Sequence, residues 1–556
     1  MLLTGAEILM ECLLEQGTDT VFGYPGGAVL NIYDALYAYG DKIRHIRTTH
    51  EQAAAHAADG YARSTGKTGV CIATSGPGAT NLVTGIATAY MDSVPMVAVT
   101  GNVALGLLGL DSFQEVDITG ITMPVTKHNF LVKRVGDLAD TMREAFRIAG
   151  SGRKGPVLVD IPKDVTAAKC EFTRKPPLSA EKTGGLPSQD RFAGALELLR
   201  ESRRPFLYCG GGVVASEAEP EVRELAEKLD APVACSLMCQ GGYDQTDRRY
   251  LGMLGMHGTK ASAQAMKECD LLVAVGTRFS DRVLCNADLF GRHCRILQID
   301  IDTAEFGKNI SVDDMLNGDA KAILSELNRK LQPCDHADWM REILEYKERF
   351  PLRQEGETPE SVLPQDVMET LFRLAPDAIV ATEVGQHQMW AAQFGTFRQP
   401  RHFLSSGGLG TMGFGLGAAI GAQAANPEKQ VVNVAGDGSF HMNCAELSTL
   451  ARYRLPVIEL VLNNEVLGMV RQWQKLFYGG RFSQTDLDSP TDYQKLAEAF
   501  GVRGMQIASK ADVEPVLREA LALRAPVLVD CRIGRDLNVL PMVPAGGSVE
   551  DPILNL

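Results

Sequence analysis

The stretch "VVNVAGDGSF", residues 431–440, is followed by "VIELVLNN" at 457–464. Each opens as a short, β-rich apolar run, and a helix-length segment separates them. Runs of this kind, alternating with helices, form parallel sheets covered on both faces. In such sheets ligands bind beyond the carboxyl ends of the strands. The first run delivers Asp437 to such an end. Its neighbours Gly436 and Gly438 let the backbone turn sharply and approach a ligand closely. The second run delivers Asn463 and Asn464. A carboxylate and an amide oxygen are hard ligands of the type Mg²⁺ takes, with diphosphate oxygens completing an octahedron. Taken singly, "DG" and "NN" read as turn residues leaving strands. Together, at matching strand ends, they read as a site for a metal-bridged diphosphate.

The same alternation runs through the chain. "GVCIAT", "VPMVAVTG" and "GPVLVDIP" mark a first part; "RPFLYCGGG", "DLLVAVGT" and "RILQIDID" mark a middle part; "AIVATEVG" and "APVLVDCRI" join the opening stretch in the last. Two segments rich in Pro, Gly and charge, residues 169–189 and 349–366, read as linkers. The expected fold is α/β, with three doubly wound parallel-sheet domains at 1–168, 190–348 and 363–535. A C-terminal tail, 536–556, follows them.

The formal charge of −14 argues against a nucleic-acid footprint, which needs a basic excess. Twelve cysteines are scattered without a CxxC pair, so reduced, mostly buried thiols in the cytoplasm are expected. The opening "MLLTGAEILMECLLEQG" reads as an amphipathic helix running into the fold, without the basic region and cleavage site of a leader. No apolar run is long enough for a membrane span.

Other glycine clusters are less specific. "GGGVVA", Gly210–Ala215, fits GxGxxA with Asp230 twenty residues on, a pattern that cradles a dinucleotide pyrophosphate. "GLGTMG" at 408–413 fits GxGxxG without a clear preceding strand. "TSGPGATN" at 74–81 reads equally as an anion-receiving turn or as close packing of Gly76 and Gly78.

"GDG" followed by "NN" resembles the signature of thiamine diphosphate enzymes. The resemblance extends over nearly the whole chain. "VFGYPGGA", "HEQAAAHAADGYAR", "TSGPGATN", "FQEVD", "GPVLVDIPKD", "LGMLGMHGT", "GTRFSDRV", "VGQHQMWAAQ", "GLGTMGFG" and "GMVRQWQ" occur in order, as in the catalytic subunits of the acetohydroxyacid synthase (acetolactate synthase) family. The resemblance implies that Asp437, Asn464 and the carbonyl of Val466 hold Mg²⁺. It implies that Gly436, Gly438, Ser439, Met442, Leu467, Gly468, Met469, Gln386 and His387 surround the diphosphate, with Met412 beneath the thiazolium. Tyr24, Pro25, Gly26 and Gly27 belong to the aminopyrimidine side, where Glu51 matches the glutamate that bonds a ring nitrogen and shuttles its proton. Without the family, Glu51 reads as a solvated residue opening an Ala-rich helix, and Met412 as a core methionine.

The implied reaction takes CO2 from pyruvate on the coenzyme and joins the two-carbon remainder to a second 2-keto acid, pyruvate or 2-ketobutyrate. Arg282 matches the arginine that grips the acceptor carboxylate, for which a planar guanidinium fork is suited; a salt bridge with Asp281 is the plain alternative. Trp473 matches the residue that selects the larger acceptor. Phe113, Gln114, Lys163 and Met256 match further residues of the substrate channel. FAD, in a structural role, is implied by Arg153, Gly210, Gly211, Gly212, Met256, His257, Gly258, Thr259, Gly276, Thr277, Arg278, Asp281, Val283, Asp300, Ile301 and Asp319. Ser280 stands where the family commonly has Asp, which puts one contact near FAD in doubt. The family further implies a homodimer or dimer of dimers with active sites shared between chains, room for a small regulatory subunit, and a tail that acts as a mobile lid. A pyruvate oxidase-like thiamine enzyme is the nearest alternative.

Overall fold

The computed structural model describes residues 1–180, 185–354, 356, 358, 360–488 and 490–554. The expected linkers fall partly outside the described residues, at 181–184 and at 355, 357 and 359, as do the last two residues of the tail. Three six-stranded sheets, every pair in them parallel, account for the β-rich runs. The first is ordered Arg44–Arg47, Thr20–Gly23, Gly69–Ala73, Met96–Asn102, Pro156–Pro162, His128–Leu131. The middle sheet is ordered Tyr250–Met253, Val233–Cys235, Pro205–Cys209, Leu271–Val275, Arg295–Asp300, Asp314–Asn317. The last is ordered Phe403–Leu404, Ile379–Thr382, Val431–Gly436, Val457–Asn463, Val527–Arg532, Arg503–Ile507. Their central strands are buried at every position, which is why they read as continuous apolar runs rather than alternating ones.

In each sheet the chain enters centrally, winds one way, then returns and winds the other. The strand order therefore reverses between Thr20–Gly23 and Gly69–Ala73, between Pro205–Cys209 and Leu271–Val275, and between Ile379–Thr382 and Val431–Gly436. A crevice opens at each reversal, because the connecting helices depart to opposite faces. The glycine-bearing motifs lie at these three places.

The first and last sheets are joined by one apolar cluster that includes Ala57, Tyr61 and Ile86 of the first unit with Phe414, Leu416 and Ile420 of the last. Helix Glu51–Thr65 packs on helix Gly415–Ala425 through small residues: a Cβ at Gly60 would strike the Ala418 carbonyl, and one at Gly421 the Ala57 carbonyl. Glycine is required there by backbone contact, not by turn geometry. Buried Arg63 adds a polar tie, bonding Asp59, Asp92 (2.9 Å) and the carbonyl of Ser405 (2.9 Å).

The opening segment differs from the expected single helix. Leu2–Thr4 is a strand, paired antiparallel with Lys169–Glu171 from the start of the first expected linker. The helix begins at Gly5, where Thr4 and Glu7 form a capping box that satisfies two terminal N–H groups. The tail is docked rather than loose. Val543 N–H donates to the Met256 carbonyl (2.8 Å) and Gly546 N–H to that of Cys285 (3.2 Å), while Val539 and Met542 are fully buried. Among the described residues no helix is long and apolar enough to cross a membrane.

Candidate active site

The crevice of the last sheet gathers the diphosphate-side residues. Asp437 starts helix Asp437–Asn443 directly after its strand and is only 3% exposed. Its Oδ1 accepts from Gly438 N–H (2.9 Å) and its Oδ2 from Glu465 N–H (2.6 Å). Burial pushes this carboxyl up to about 6, since those amides only partly replace water and no cationic side chain among the described residues pairs with it. A divalent cation would favour the charged form there.

The two asparagines part company. Asn463 turns its amide to Asp530 (2.8 Å), whereas Asn464 lies beside Gln386 (3.4 Å) with its Oδ1 accepting from Val466 N–H (3.3 Å). Asp437, Asn464 and the Val466 backbone thus sit around one turn, whose Glu465 takes the left-handed region at φ 59°. That strain at a non-glycine residue belongs to a backbone held in place by its surroundings. Gly468, opening helix Gly468–Phe477, allows Gln386 to approach, since a Cβ would collide with Gln386 Oε1. Gly436 likewise makes room for the His387 ring. His387 is buried, which lowers it to about 3 and keeps it neutral, and its Nε2 has no hydrogen-bond partner among the described residues. Such an orphaned atom is what an absent oxygen-rich ligand would satisfy. Ser439 Oγ donates to the Val384 carbonyl (2.9 Å); Leu467 and Met469 are partly buried on the same turn, and Met442 is exposed.

Met412 is partly buried on the turn before helix Gly415–Ala425. This turn is held by a residue missed in the sequence, Glu383, which accepts from Gly413 N–H (2.6 Å) and Leu416 N–H (3.1 Å). A carboxylate directly before "VGQHQ" at the end of an apolar run was the available signal. Burial raises Glu383 to about 7. A carboxyl raised on folding stabilises fully below its unfolded value, near 4.5, and loses that contribution as pH climbs to about 7. We therefore expect the stability difference between wild type and Glu383→Gln to change by on the order of 3 kcal/mol across that window, measured by calorimetry. A difference independent of pH would contradict the assignment.

At the first sheet's crevice, Tyr24, Pro25, Gly26 and Gly27 follow strand Thr20–Gly23, with Gly26 against the Thr74 side chain. Glu51, half-buried, is the first residue of its helix, and its Oε2 accepts from Asn81 Nδ2 (2.9 Å). Gly76, at φ 60°, packs on Gln114, itself at φ 60°. Phe113 beside it is 87% exposed, and Lys163 is exposed at the end of strand Pro156–Pro162. No hydrogen bond among the described residues joins Glu51 to the Asp437 pocket.

The middle crevice shows why "GGG" is glycine. Gly210 and Gly212 lie backbone to backbone with Gly276, and Gly210 and Gly212 N–H donate to the carbonyls of Val275 (2.8 Å) and Gly276 (3.0 Å). Those two amides are therefore spent within the protein. Asp230 sits at a helix end, paired with Arg249 (3.2 Å). Near this crevice, Arg153 bridges Asp302 (3.2 Å) and Glu305 (2.9 Å), and Arg278 donates to the Met91 carbonyl (2.6 Å). Asp300 is raised to about 6 by burial; Asp319 caps helix Ala320–Lys330, and Thr259 caps helix Lys260–Glu268. Thr277 and Val283 are buried, and Ile301 is partly exposed. His257 faces the tail and is lowered to about 4, and Gly258 N–H donates to the Gly255 carbonyl (2.8 Å) where a Cβ would strike the Met253 carbonyl.

One cluster spans units. The Arg282 guanidinium lies over the Trp473 ring, 5.5 Å from its centre, with Met256 Sδ 3.6 Å from Nη1. Its approach to Asp281 is 3.8 Å between exposed groups, too weak an ion pair to occupy it. Trp473 is on the helix that Gly468 opens, directly after the Asp437–Asn464 turn, while Arg282 reaches its ring from the middle unit's short helix Asp281–Leu284. Gln472 of that helix, also missed in the sequence, binds Gln386 (3.0 Å) and both the N–H (2.9 Å) and carbonyl (3.0 Å) of tail residue Val539.

The chain matches three family models in order: the thiamine pyrophosphate enzyme N-terminal TPP binding domain over residues 3–121, the central domain over 192–327, and the C-terminal TPP binding domain over 383–531. It is 47% identical to an acetolactate synthase of Mycobacterium bovis, covering 99% of this chain and 91% of that protein. The acetolactate synthase large subunit of Haemophilus influenzae is 45% identical over 100% and 98% of the two chains. This chain belongs to the acetolactate synthase family. A probable acetolactate synthase large subunit from Methanocaldococcus jannaschii is 46% identical over 98% and 94% of the two chains. The first and last units each match a TPP binding domain, so the coenzyme of the family is thiamine pyrophosphate.

Proposed function

We propose that the chain is the catalytic subunit of an acetolactate synthase: it decarboxylates pyruvate and ligates the two-carbon unit to a second pyruvate or to 2-ketobutyrate. The observation that carries this reading is the Arg282–Trp473 pair. It puts a carboxylate-gripping cation from the middle unit against an apolar wall on the helix that follows the diphosphate turn. A decarboxylase or oxidase needs no such second-acid pocket.

Thiamine diphosphate supplies the nucleophilic carbon and the electron sink that release of CO2 requires. Asp437, Asn464 and the Val466 carbonyl would hold Mg²⁺ and through it the diphosphate, and the orphaned His387 Nε2 and the Asp437 carboxyl support that fit. Glu51 holds and returns a proton at the aminopyrimidine ring nitrogen. Met412, on the turn braced by Glu383, would contact the bound coenzyme. Arg282 grips the acceptor carboxylate, Trp473 contacts its alkyl end, and Phe113, Gln114, Lys163 and Met256 line the approach. The docked tail, bonded to Gln386 (Leu537 carbonyl, 2.9 Å) and Gln472, excludes water while the reactive carbon is exposed.

FAD is proposed at the middle crevice as a structural group, supported by the switch-point position of Gly210–Gly212 and Gly276. Glu51 and Asp437 stand at separate crevices, which supports sites completed by a second copy of the chain. Mixing Glu51→Gln and Asp437→Ala chains would then restore activity, to about a quarter for random dimers. No restoration would mean that each chain carries its own site.

The functional test is the reduced, purified chain with pyruvate, Mg²⁺ and thiamine diphosphate, with and without FAD, scored for product. Acetolactate is expected; acetaldehyde or acetate as main product would overturn the reading. Trp473→Leu should lower the preference for 2-ketobutyrate over pyruvate by about tenfold or more, since one methylene contributes ~1–3 kcal/mol in an apolar pocket. An unchanged ratio in a competition assay would remove Trp473 from that role.

A further inference from the structure

Cys269, His293 and Cys294 meet at the amino ends of the middle sheet, the edge opposite the glycine-bearing crevice. Cys269 closes helix Lys260–Glu268, and His293 and Cys294 end the loop into strand Arg295–Asp300. Strands Leu271–Val275 and Arg295–Asp300 pair from Leu271↔Arg295 onward, and that register brings their leading residues side by side. One ligand atom of each residue, two Sγ and an imidazole nitrogen, lies within 4.8 Å of the other two. Both thiols are free.

The surroundings are those of a coordinating imidazole. His293 Nε2 faces the Met266 carbonyl at 3.0 Å. The tautomer that donates there leaves the other nitrogen with its lone pair, and a carbonyl partner of this kind fixes ring orientation in metal sites. Nδ1 has the Glu550 carboxylate 3.9 Å away. Glu550 belongs to the terminal segment that docks through Val543 and Gly546 onto the same unit.

We propose that Cys269, Cys294 and His293 bind a thiophilic divalent cation of the Zn²⁺ class, with Glu550 as the fourth ligand. Two thiolates, an imidazole and a carboxylate form a tetrahedral set suited to Zn²⁺, and they are wrong for Mg²⁺, which demands an oxygen octahedron. Bonds of about 2.0–2.3 Å would draw the three clustered groups together, and Glu550, near His293 but outside that 4.8 Å cluster, would swing in to complete the set. Binding would release the two thiol protons and pin the terminal segment to the middle unit. The site is separate from the proposed coenzyme pocket, so its failure and the failure of the synthase reading are distinguishable.

The test uses reduced, tag-free full-length protein, stripped of metal and titrated with Zn²⁺ against a chromophoric chelator. One tightly bound Zn²⁺ per chain is expected. Co²⁺ loading should give sulfur-to-metal charge-transfer absorption in the near ultraviolet. Both signals should vanish in Cys269→Ser/Cys294→Ser, while Glu550→Gln weakens binding by about tenfold. His293→Ala, at a surface residue, gives a variant whose folding is not at issue and should lose the site as well. Zn²⁺ should also slow proteolysis within residues 546–554 in wild type only. Binding below a tenth of an ion per chain, or equal binding in the double Ser variant, would overturn the proposal.

Discussion

Asp437→Ala is expected to abolish Mg²⁺-dependent binding of thiamine diphosphate and to lower turnover by at least about a thousandfold. The carboxylate is the only anionic member of the oxygen set formed with Asn464 and the Val466 carbonyl. A divalent ion's stabilisation of phosphate oxygens is worth several kcal/mol, and each 1.4 kcal/mol is a decade. The fold should survive. Asp437 carries a burial penalty that raises it to about 6, and its removal frees only the Gly438 and Glu465 amides, which border the pocket. Calorimetric titration of coenzyme at several Mg²⁺ concentrations would separate lost affinity from misfolding. Normal Mg²⁺ dependence in this variant would show that the ion is held elsewhere.

Glu51→Gln should keep coenzyme binding within about tenfold yet reduce turnover by roughly 100- to 10,000-fold, the usual contribution of positioned acid–base groups. The amide preserves the side chain's shape and can still meet Asn81, which holds Glu51 Oε2 at 2.9 Å. What it loses is the ability to hold and return a proton. The distinguishing readout is exchange of the coenzyme's C2 proton with deuterated solvent, followed by NMR. Exchange should slow in parallel with turnover. Unimpaired exchange would assign Glu51 a merely structural place at its helix start.

Much of this was legible before any coordinates. Buried parallel strands announce themselves as uninterrupted apolar runs, so the three α/β units and the strand-end positions of Asp437 and Asn464 could be read directly. Sequence could not separate Asn463 from Asn464 by its own pattern. Adjacent residues leave a strand toward opposite faces, and only pairing with Val527–Arg532 turns Asn463 to Asp530. The glycines at 210–212 were read as a pyrophosphate cradle; they lie against Gly276, more than sixty residues on, and the amides of Gly210 and Gly212 serve its strand end. Glu383, Gln472 and the Cys269–His293–Cys294 group were missed for a related reason. Each acts through partners brought in from afar by a facing turn, by register or by the docked tail, and apart from the strand-end position of Glu383 nothing local encodes those meetings. The strand Leu2–Thr4 was hidden similarly, since its mate lies in a segment that reads as linker.

The central claim is that one turn of the last unit holds a metal-bound diphosphate, and a crystal structure grown with Mg²⁺ and thiamine diphosphate tests it most directly. The account predicts the ion on Asp437, Asn464 Oδ1 and the Val466 carbonyl, with phosphate oxygens filling its remaining positions. An ion and diphosphate bound away from these three residues would contradict it.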